Sequence, residues 1–329
     1  MRRIHELCTG KIILNDRQQE KNYFLLPGFS YCKSRKVRVN ILAMGDVGGT
    51  LALGLRLLGG DIIWQIGICD IDPNAVSRWE HELNQIAMPS DPETFPEVIP
   101  TAIEDLFDCD VFVFCASKGV PALGSSGDVR MLQLEKNRQL ISIYADQALK
   151  AYFDGEFFVV SDPVDPLCRA ALNAGIRPCR IQGFGLGVMN GRAQFFARRD
   201  PALHRYLEDG RVFGPHGEDL VVADSITDYD DVASRKLTEL TVQANLAIRD
   251  MGFKPYIAPA IASGAISILE NLRGHWHYSS AYLGDGQDGA FLGMRNCRTA
   301  EGLMVEDQPL DDKLYARIER AYRNLEVLG

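Results

Sequence analysis

No two cysteines in this chain stand at CxxC spacing, no long apolar run is free of charge, and no basic tract offers itself to a polyanion. Each absence removes a class of function. The eight cysteines, Cys8, Cys32, Cys69, Cys109, Cys115, Cys168, Cys179 and Cys297, are scattered, which argues for ordinary reduced thiols of a cytoplasmic protein and against a disulfide or zinc framework. The most apolar region carries Asp46, Arg56 and Asp61, so a membrane span is not expected. Met1-Arg2-Arg3 is basic, but no apolar segment follows it, so no signal peptide is expected. Acids outnumber bases 44 to 35, a net charge of -9, which disfavours nucleic acid or an anionic membrane as the main partner. A small anion is still allowed, because two or three local arginines suffice to hold it. Internal repeats and low-complexity tracts are also missing.

What remains is a chain of 329 residues, 46% hydrophobic, enough for two domains with buried cores. It is organised around Val37 to Asp72. Val37, Val39, Ile41 and Ala43 alternate as a buried strand would. Gly45, Gly48 and Gly49 read as a tight turn, and Thr50 to Leu58 as an apolar helix closed by Gly59-Gly60. Ile66 to Ile71 reads as a second strand ending in acids. Strand, glycine turn, helix, strand and acid form the dinucleotide-binding fingerprint, here written A-x-G-x-x-G because Ala43 replaces the usual first glycine. Gly45 lets a pyrophosphate approach the backbone, Gly48 lets helix and sheet pack closely, and the helix N-terminus offers amide N–H groups to phosphate. Asp70 is placed to accept hydrogen bonds from ribose hydroxyls, which favours NAD over its phosphorylated form.

Strands continue to alternate with helices up to about Gly183. Asn74 to Ile86 and Val129 to Phe153 read as helices, Asp110 to Ala116 and Glu156 to Val160 as strands, and the proline-rich Ser90 to Pro100 as a loop. This alternation predicts a parallel sheet covered by helices on both faces. Beyond Gly183 the pattern changes to helices at Val188 to Arg199, Asp231 to Met251, Ile257 to Leu272 and Asp311 to Leu328, with hairpin character at Tyr278 to Val305. Residues 1–36 read as an arm on the surface or on a neighbouring subunit, with disorder as the competing reading. His275 and His277 share a strand face but lack a third metal ligand. Asp224, Asp228, Asp230 and Asp231 read as a solvated acidic loop.

Several segments recur in an order that resembles the NAD-dependent lactate/malate dehydrogenase family: the glycine loop, DVFVFCAS, DVRMLQLEKN, VVSDPVDPL, GFGLGVMNGRAQFF, GPHGED and IAPAIASGAISILENL. The resemblance implies a Rossmann-type doubly wound parallel sheet at 37–182, followed by an α+β catalytic domain at 183–329. It implies NAD held by Gly45, Asp46, Val47, Gly48, Asp70 and Ala116, a small anionic 2-oxo or 2-hydroxy acid as substrate, and a homodimer or homotetramer. His216, in GPHGED, corresponds to the acid/base of hydride transfer, a task that suits imidazole because its ordinary pKa lies near neutrality. Arg192 corresponds to the arginine that forks onto the substrate carboxylate, and Arg130 to a loop arginine that closes over the substrate.

The departures are as informative. The family pairs its histidine with an aspartate three positions before the gripping arginine, and here that position is Met189. The family's serine-asparagine-proline turn is Ser161-Asp162-Pro163, so Asp162 is a candidate to supply the carboxylate from the opposite side of His216. Between Ala116 and Arg130 there is no second arginine for a dicarboxylate, only Lys118 among apolar residues, and the pocket threonine becomes Ile257 or a neighbour. These changes predict a monocarboxylic substrate. Two alternatives stay open: an NAD-binding or metabolite-sensing homologue without turnover, and a different NAD enzyme in which Asp162 leads the chemistry.

If Asp162 has taken over the missing role, Asp162→Asn lowers the rate by at least about tenfold and moves the pH profile, and adding Met189→Asp recovers part of the loss. Steady-state profiles of the two single variants and the double variant decide the matter. An unchanged rate and profile for Asp162→Asn excludes the relocation.

Overall fold

The computed structural model describes residues 1–8, 21–29, 35–118, 127–285 and 288–328, with side chains from 134 onward in the helix that begins at 127. Twelve strands are named among these residues: β1 (Tyr23–Leu26), β2 (Val37–Leu42), β3 (Ile63–Cys69), β4 (Glu97–Pro100), β5 (Val111–Phe114), β6 (Glu156–Val159), β7 (Ile181–Gly183), β8 (Arg211–Phe213), β9 (Val221–Ala223), β10 (His277–Gly284), β11 (Gly289–Thr299) and β12 (Gly302–Glu306). The helices are α1 (Asp46–Leu58), α2 (Pro73–Asn84), α3 (Gly127–Lys150), α4 (Val164–Asn173), α5 (Leu186–Ala197), α6 (Tyr206–Asp209), α7 (Asp231–Asp250), α8 (Ser267–Arg273) and α9 (Asp312–Leu328).

Ten strands form one sheet in the order β1-β12-β11-β10-β7-β6-β5-β2-β3-β4. The run β7-β6-β5-β2-β3-β4 is parallel, and strand order reverses between β2 and β5. That reversal opens a crevice at the carboxyl ends of the strands, where doubly wound sheets bind ligands. The central strands β5 and β6 have no exposed residue, as expected of parallel strands covered on both faces, whereas the outer β4 is exposed at both ends. The antiparallel run β10-β11-β12-β1 continues the same sheet through a join at which Ser280 faces Gly183.

Local chemistry explains where the structure departs from the pattern reading. Helix α1 begins at Asp46, so only Gly45 lies in the turn, as N-cap, and Gly48 and Gly49 are the helix's first-turn contacts with its surroundings. Ala43 adopts φ 76°, the left-handed region, and its carbonyl comes so close to Gly48 that a Cβ there would sit 1.9 Å from the oxygen. The segment 90–100 is not wholly a loop, because Glu97–Pro100 forms the outer parallel strand β4, where Pro100 leaves no interior ladder broken. The helix expected at Ile257 to Leu272 is split: Pro259–Ile266 is a π-helix and α8 follows. The π-helix packs on α1, with Gly54 against Ala265 and Gly264 against Leu51. Two glycines therefore let the backbones approach and fix α1 against the second half of the chain. Residues Ile4–Cys8 and strand β1 pack on their own chain, with Ile4, Leu7, Phe24 and Leu26 in the core shared by β11, β12 and α9.

A buried polar cluster spans the join between the two runs of the sheet. Gln182 Nε2 donates to Ser279 Oγ at 3.1 Å, Asn271 Nδ2 donates to Gln182 Oε1 at 3.0 Å, and Arg298 Nη2 lies 2.6 Å from Glu156 Oε2. His277, 5% exposed, lies in the same cluster, with Nε2 3.1 Å from Ser279 Oγ. Burial keeps His277 neutral: desolvation pushes its pKa down to about 4, Arg298 adds to the effect, and the His275 carbonyl only partly opposes it.

This depression has a defined sign. The unfolded histidine takes up a proton near its ordinary pKa, and the folded one resists down to about 4, so stability is lost as pH falls between those values. Urea unfolding should show the wild-type protein losing up to about 3 kcal/mol more than a His277→Gln variant between roughly pH 7 and pH 4. Parallel pH dependences for the two proteins would contradict this account.

Candidate active site

The register of the parallel strands brings four chain segments to one edge. Leu42 pairs with Cys69 and Phe114, and Phe114 with Val159. The residues that follow, Gly45, Asp70, Ala116 and Asp162, therefore all leave the sheet at its carboxyl side. The Ser161-Asp162 turn is tied down there. Ser161 Oγ donates to the Ala116 carbonyl at 2.8 Å, and Asn137 Nδ2 donates to the Asp162 carbonyl at 3.2 Å. The Asp162–Pro163 peptide is cis.

His216 arrives from the other half of the chain, on the turn between β8 and β9. Gly214, at φ 90°, donates from its N–H to the Gly293 carbonyl at 2.9 Å and so holds the turn against β11. The imidazole rests over Gly185, where an added Cβ would lie 3.1 Å from His216 Cβ. His216 Nδ1 is 3.2 Å from Asp162 Oδ1. The other ring nitrogen, Nε2, is buried and has no partner among the described residues. The side chain of His216 is 18% exposed, whereas Asp162 keeps 66% of its side-chain surface open to the crevice.

The electrostatics follow from this placement. Desolvation works against charge on His216, but Asp162 outweighs it, and the imidazole pKa is raised above its usual value. Desolvation likewise opposes ionisation of Asp162, but His216 and Arg192 hold its carboxyl below the usual carboxylate range. Arg192, half-buried on α5, has its pKa lowered by burial while Asp162 favours its charge. Its Nη1 lies 3.6 Å from Met189 Sδ, and Met189 is 2% exposed. The position that would hold a carboxylate is thus a buried thioether beside the arginine. Arg130 has its backbone in α3, and its side chain lies outside the described residues.

On the nucleotide side, nothing lies within 4 Å of a Cβ built on Gly45, which leaves open space before the N-terminus of α1. Asp70 accepts from the N–H of Met44 at 2.6 Å and of Asp72 at 2.9 Å, leaving each oxygen a further lone pair. Asp46 is in ion-pair contact with Lys254 at 3.2 Å.

Three residues that matter here were not singled out by the pattern reading. Asp165 on α4 is 3% exposed, bonded to Ser280, with Oδ1 unpartnered. Burial pushes its pKa up to about 7, against the pull of Ser280 and His216. Its signal was an acid inside the apolar run VVSDPVDPL. Asn137 is fully buried on α3, and Lys254 reaches Asp46 from a distant loop, a contact that spacing does not encode. Ile257 is 62% exposed, so it does not form a closed pocket wall in this arrangement. Asp224 is not solvated: it is fully buried and accepts from the Asp230 N–H at 3.1 Å.

No protein-family model matches the chain. An L-lactate dehydrogenase from Treponema denticola is 28% identical over 206 residues, and the match spans 62% of either chain. L-lactate dehydrogenase 2 from Staphylococcus aureus is 24% identical over 318 residues, covering 88% of this chain and 97% of the relative. Among solved structures, a lactate dehydrogenase from a Medee basin deep-sea metagenome library superposes with a TM-score of 0.71 at 17% identity, covering 89% of this chain and 98% of the other. A malate dehydrogenase from Archaeoglobus fulgidus in complex with NADH gives a TM-score of 0.70 at 18% identity, covering 88% and 98%. In sequence the chain is similar to L-lactate dehydrogenases, at low identity, and in fold it is similar to lactate and malate dehydrogenases.

Proposed function

We propose that the protein transfers hydride reversibly between NAD and a small 2-hydroxy or 2-oxo monocarboxylic acid. The observation that carries this reading is His216, whose Nδ1 faces a carboxylate while its buried Nε2 has no partner among the described residues. A buried nitrogen of that kind normally meets a partner, and a substrate hydroxyl or carbonyl oxygen is a suitable one. The raised pKa of His216 favours the charged ring, which donates a proton to a ketone oxygen. The reverse reaction needs the neutral ring. Asp162 orients the imidazole and stabilises its charge, and Arg192 holds the substrate carboxylate. Arg130 is proposed to close over the substrate.

The residues fit an NAD-type cofactor. Gly45, Asp46, Val47 and Gly48 surround the open N-terminus of α1, Asp70 follows β3 where ribose hydroxyls would be bound, and Ala116 borders the crevice. The cofactor supplies or accepts the hydride, and the residues named here do the rest. A division into an arm at 1–36, a nucleotide-binding part at 37–182 and a substrate part at 183–329 is proposed with this reading. Exposed Leu246, Ile248, Met251 and Phe253, in and just after the last turns of α7, support self-association as a homodimer or homotetramer. No helix among the described residues is long and apolar enough to cross a membrane, and a cytoplasmic location is proposed.

A dicarboxylate is disfavoured because Asp162 already contributes a negative charge beside the two cations His216 and Arg192. NADH oxidation with a panel of 2-oxo acids should give apolar monocarboxylates a kcat/KM at least about tenfold above oxaloacetate. Arg192→Lys should lower kcat/KM by about tenfold or more through loss of the forked contact. Oxaloacetate as the fastest substrate would overturn the specificity. NADH binding by thermal shift without turnover of any acid would overturn the enzymatic reading in favour of a metabolite-sensing homologue.

A further inference from the structure

Asp165 is a carboxylic acid in the first turn of α4, just beyond the Asp162–Pro163 turn, and almost no solvent reaches it. One oxygen has no partner among the described residues, and Ser280 on β10 favours the charged form of the side chain. The groups that face it are Asp162 and Cys168 from its own segment and His216 from the β8–β9 turn, with Ser280 the neutral partner. Arg192, on α5, acts on both Asp162 and His216. His216 favours a charge on Asp165, but burial and the nearby Asp162 oppose it, so that charge would be poorly compensated among the described residues.

The charge balance of the crevice gives this acid a purpose. Among the described side chains, His216 and Arg192 are two cations and Asp162 is one anion. With Asp165 neutral, the set has room for one carboxylate. With Asp165 ionised that room is gone, and an incoming carboxylate meets a second negative charge, this one buried. We infer that Asp165 is a positioning residue of the proposed substrate site that acts in its protonated form, so that binding of a monocarboxylate is coupled to uptake of a proton by Asp165. The proton comes from solvent and rests on a carboxyl oxygen, and no covalent bond is made or broken elsewhere. The inference rests on the proposed 2-oxo acid site and adds a second proton to it, beyond the one on His216. The raised pKa of Asp165, about 7, places the coupling in the neutral range.

The probe is oxamate, an unreactive monocarboxylate of 2-oxo acid shape, titrated calorimetrically into the NADH-saturated full-length protein from about pH 6 to about pH 9. On the alkaline side the wild-type affinity should fall by approaching a hundredfold per pH unit, as two protons are required. Asp165→Asn should fall by only about tenfold per unit, the His216 step alone. Titration of the wild-type protein in two buffers of different ionisation heat counts the protons directly, so the test does not depend on the variant folding. More than one proton taken up per oxamate near pH 8 supports the coupling. One proton or fewer, or an identical pH dependence in Asp165→Asn, overturns it while leaving the 2-oxo acid site intact. Absence of oxamate binding at every pH overturns the site and the coupling together.

Discussion

The 3.2 Å approach of Asp162 to His216 is the contact through which the two halves of the molecule become one site. Asp162 belongs to the parallel run of the sheet, at the end of β6, and His216 to a turn packed on β11. Neither side chain acquires its chemical character alone. An imidazole on an exposed turn titrates near its ordinary value and points nowhere in particular. Beside a carboxylate, resting on Gly185, it is charged more readily and presents a single free nitrogen.

That contact requires the halves to hold their relation to within a fraction of an ångström. The β7–β10 join is short, since Ser280 and Gly183 form its registered pair. The polar cluster of Glu156, Gln182, Asn271, Ser279 and Arg298 lies across it, and each member is hydrogen-bonded. A cluster of this kind adds little net stability over apolar packing, but it admits one arrangement of partners and so specifies one geometry. The π-helix at Pro259–Ile266 reinforces the relation from the other face by locking onto α1 through Gly54 and Gly264. The glycine loop and the His216 turn are thus referred to a common frame.

If Asp162 has the role proposed for it, negative charge beside His216 is moved rather than deleted. Met189 occupies the buried position on α5 and packs against Arg192, while carboxyl groups gather on the opposite side, at Asp162 and Asp165. The arginine then borders a soft, uncharged neighbour instead of an acid. At the glycine turn, Asp46 in the first turn of α1 is matched by Lys254. An acid there suits the helix dipole and would repel a pyrophosphate if left bare.

The parallel and antiparallel runs, the order of their helices and the glycine turn were legible from periodicity, because burial on one or two faces writes itself into the spacing of apolar residues. His216, Arg192 and Asp162 were singled out by the resemblance and not by periodicity, and the fold brings them together. The start of α1 was displaced because glycines that read as turn residues serve instead as close-packing positions, which depends on what lies opposite them. Strand β4 was hidden by prolines that an outer strand tolerates. Asp224 read as solvated because an acid's burial is set by the elements packed around it, and Asp165 passed unremarked although it stands inside an apolar run. The sequence alone determined which chemical groups this protein possesses and which elements carry them. Their protonation, and the nitrogen of His216 that remains free, were decided only by tertiary structure, because both depend on distances between segments far apart in the chain.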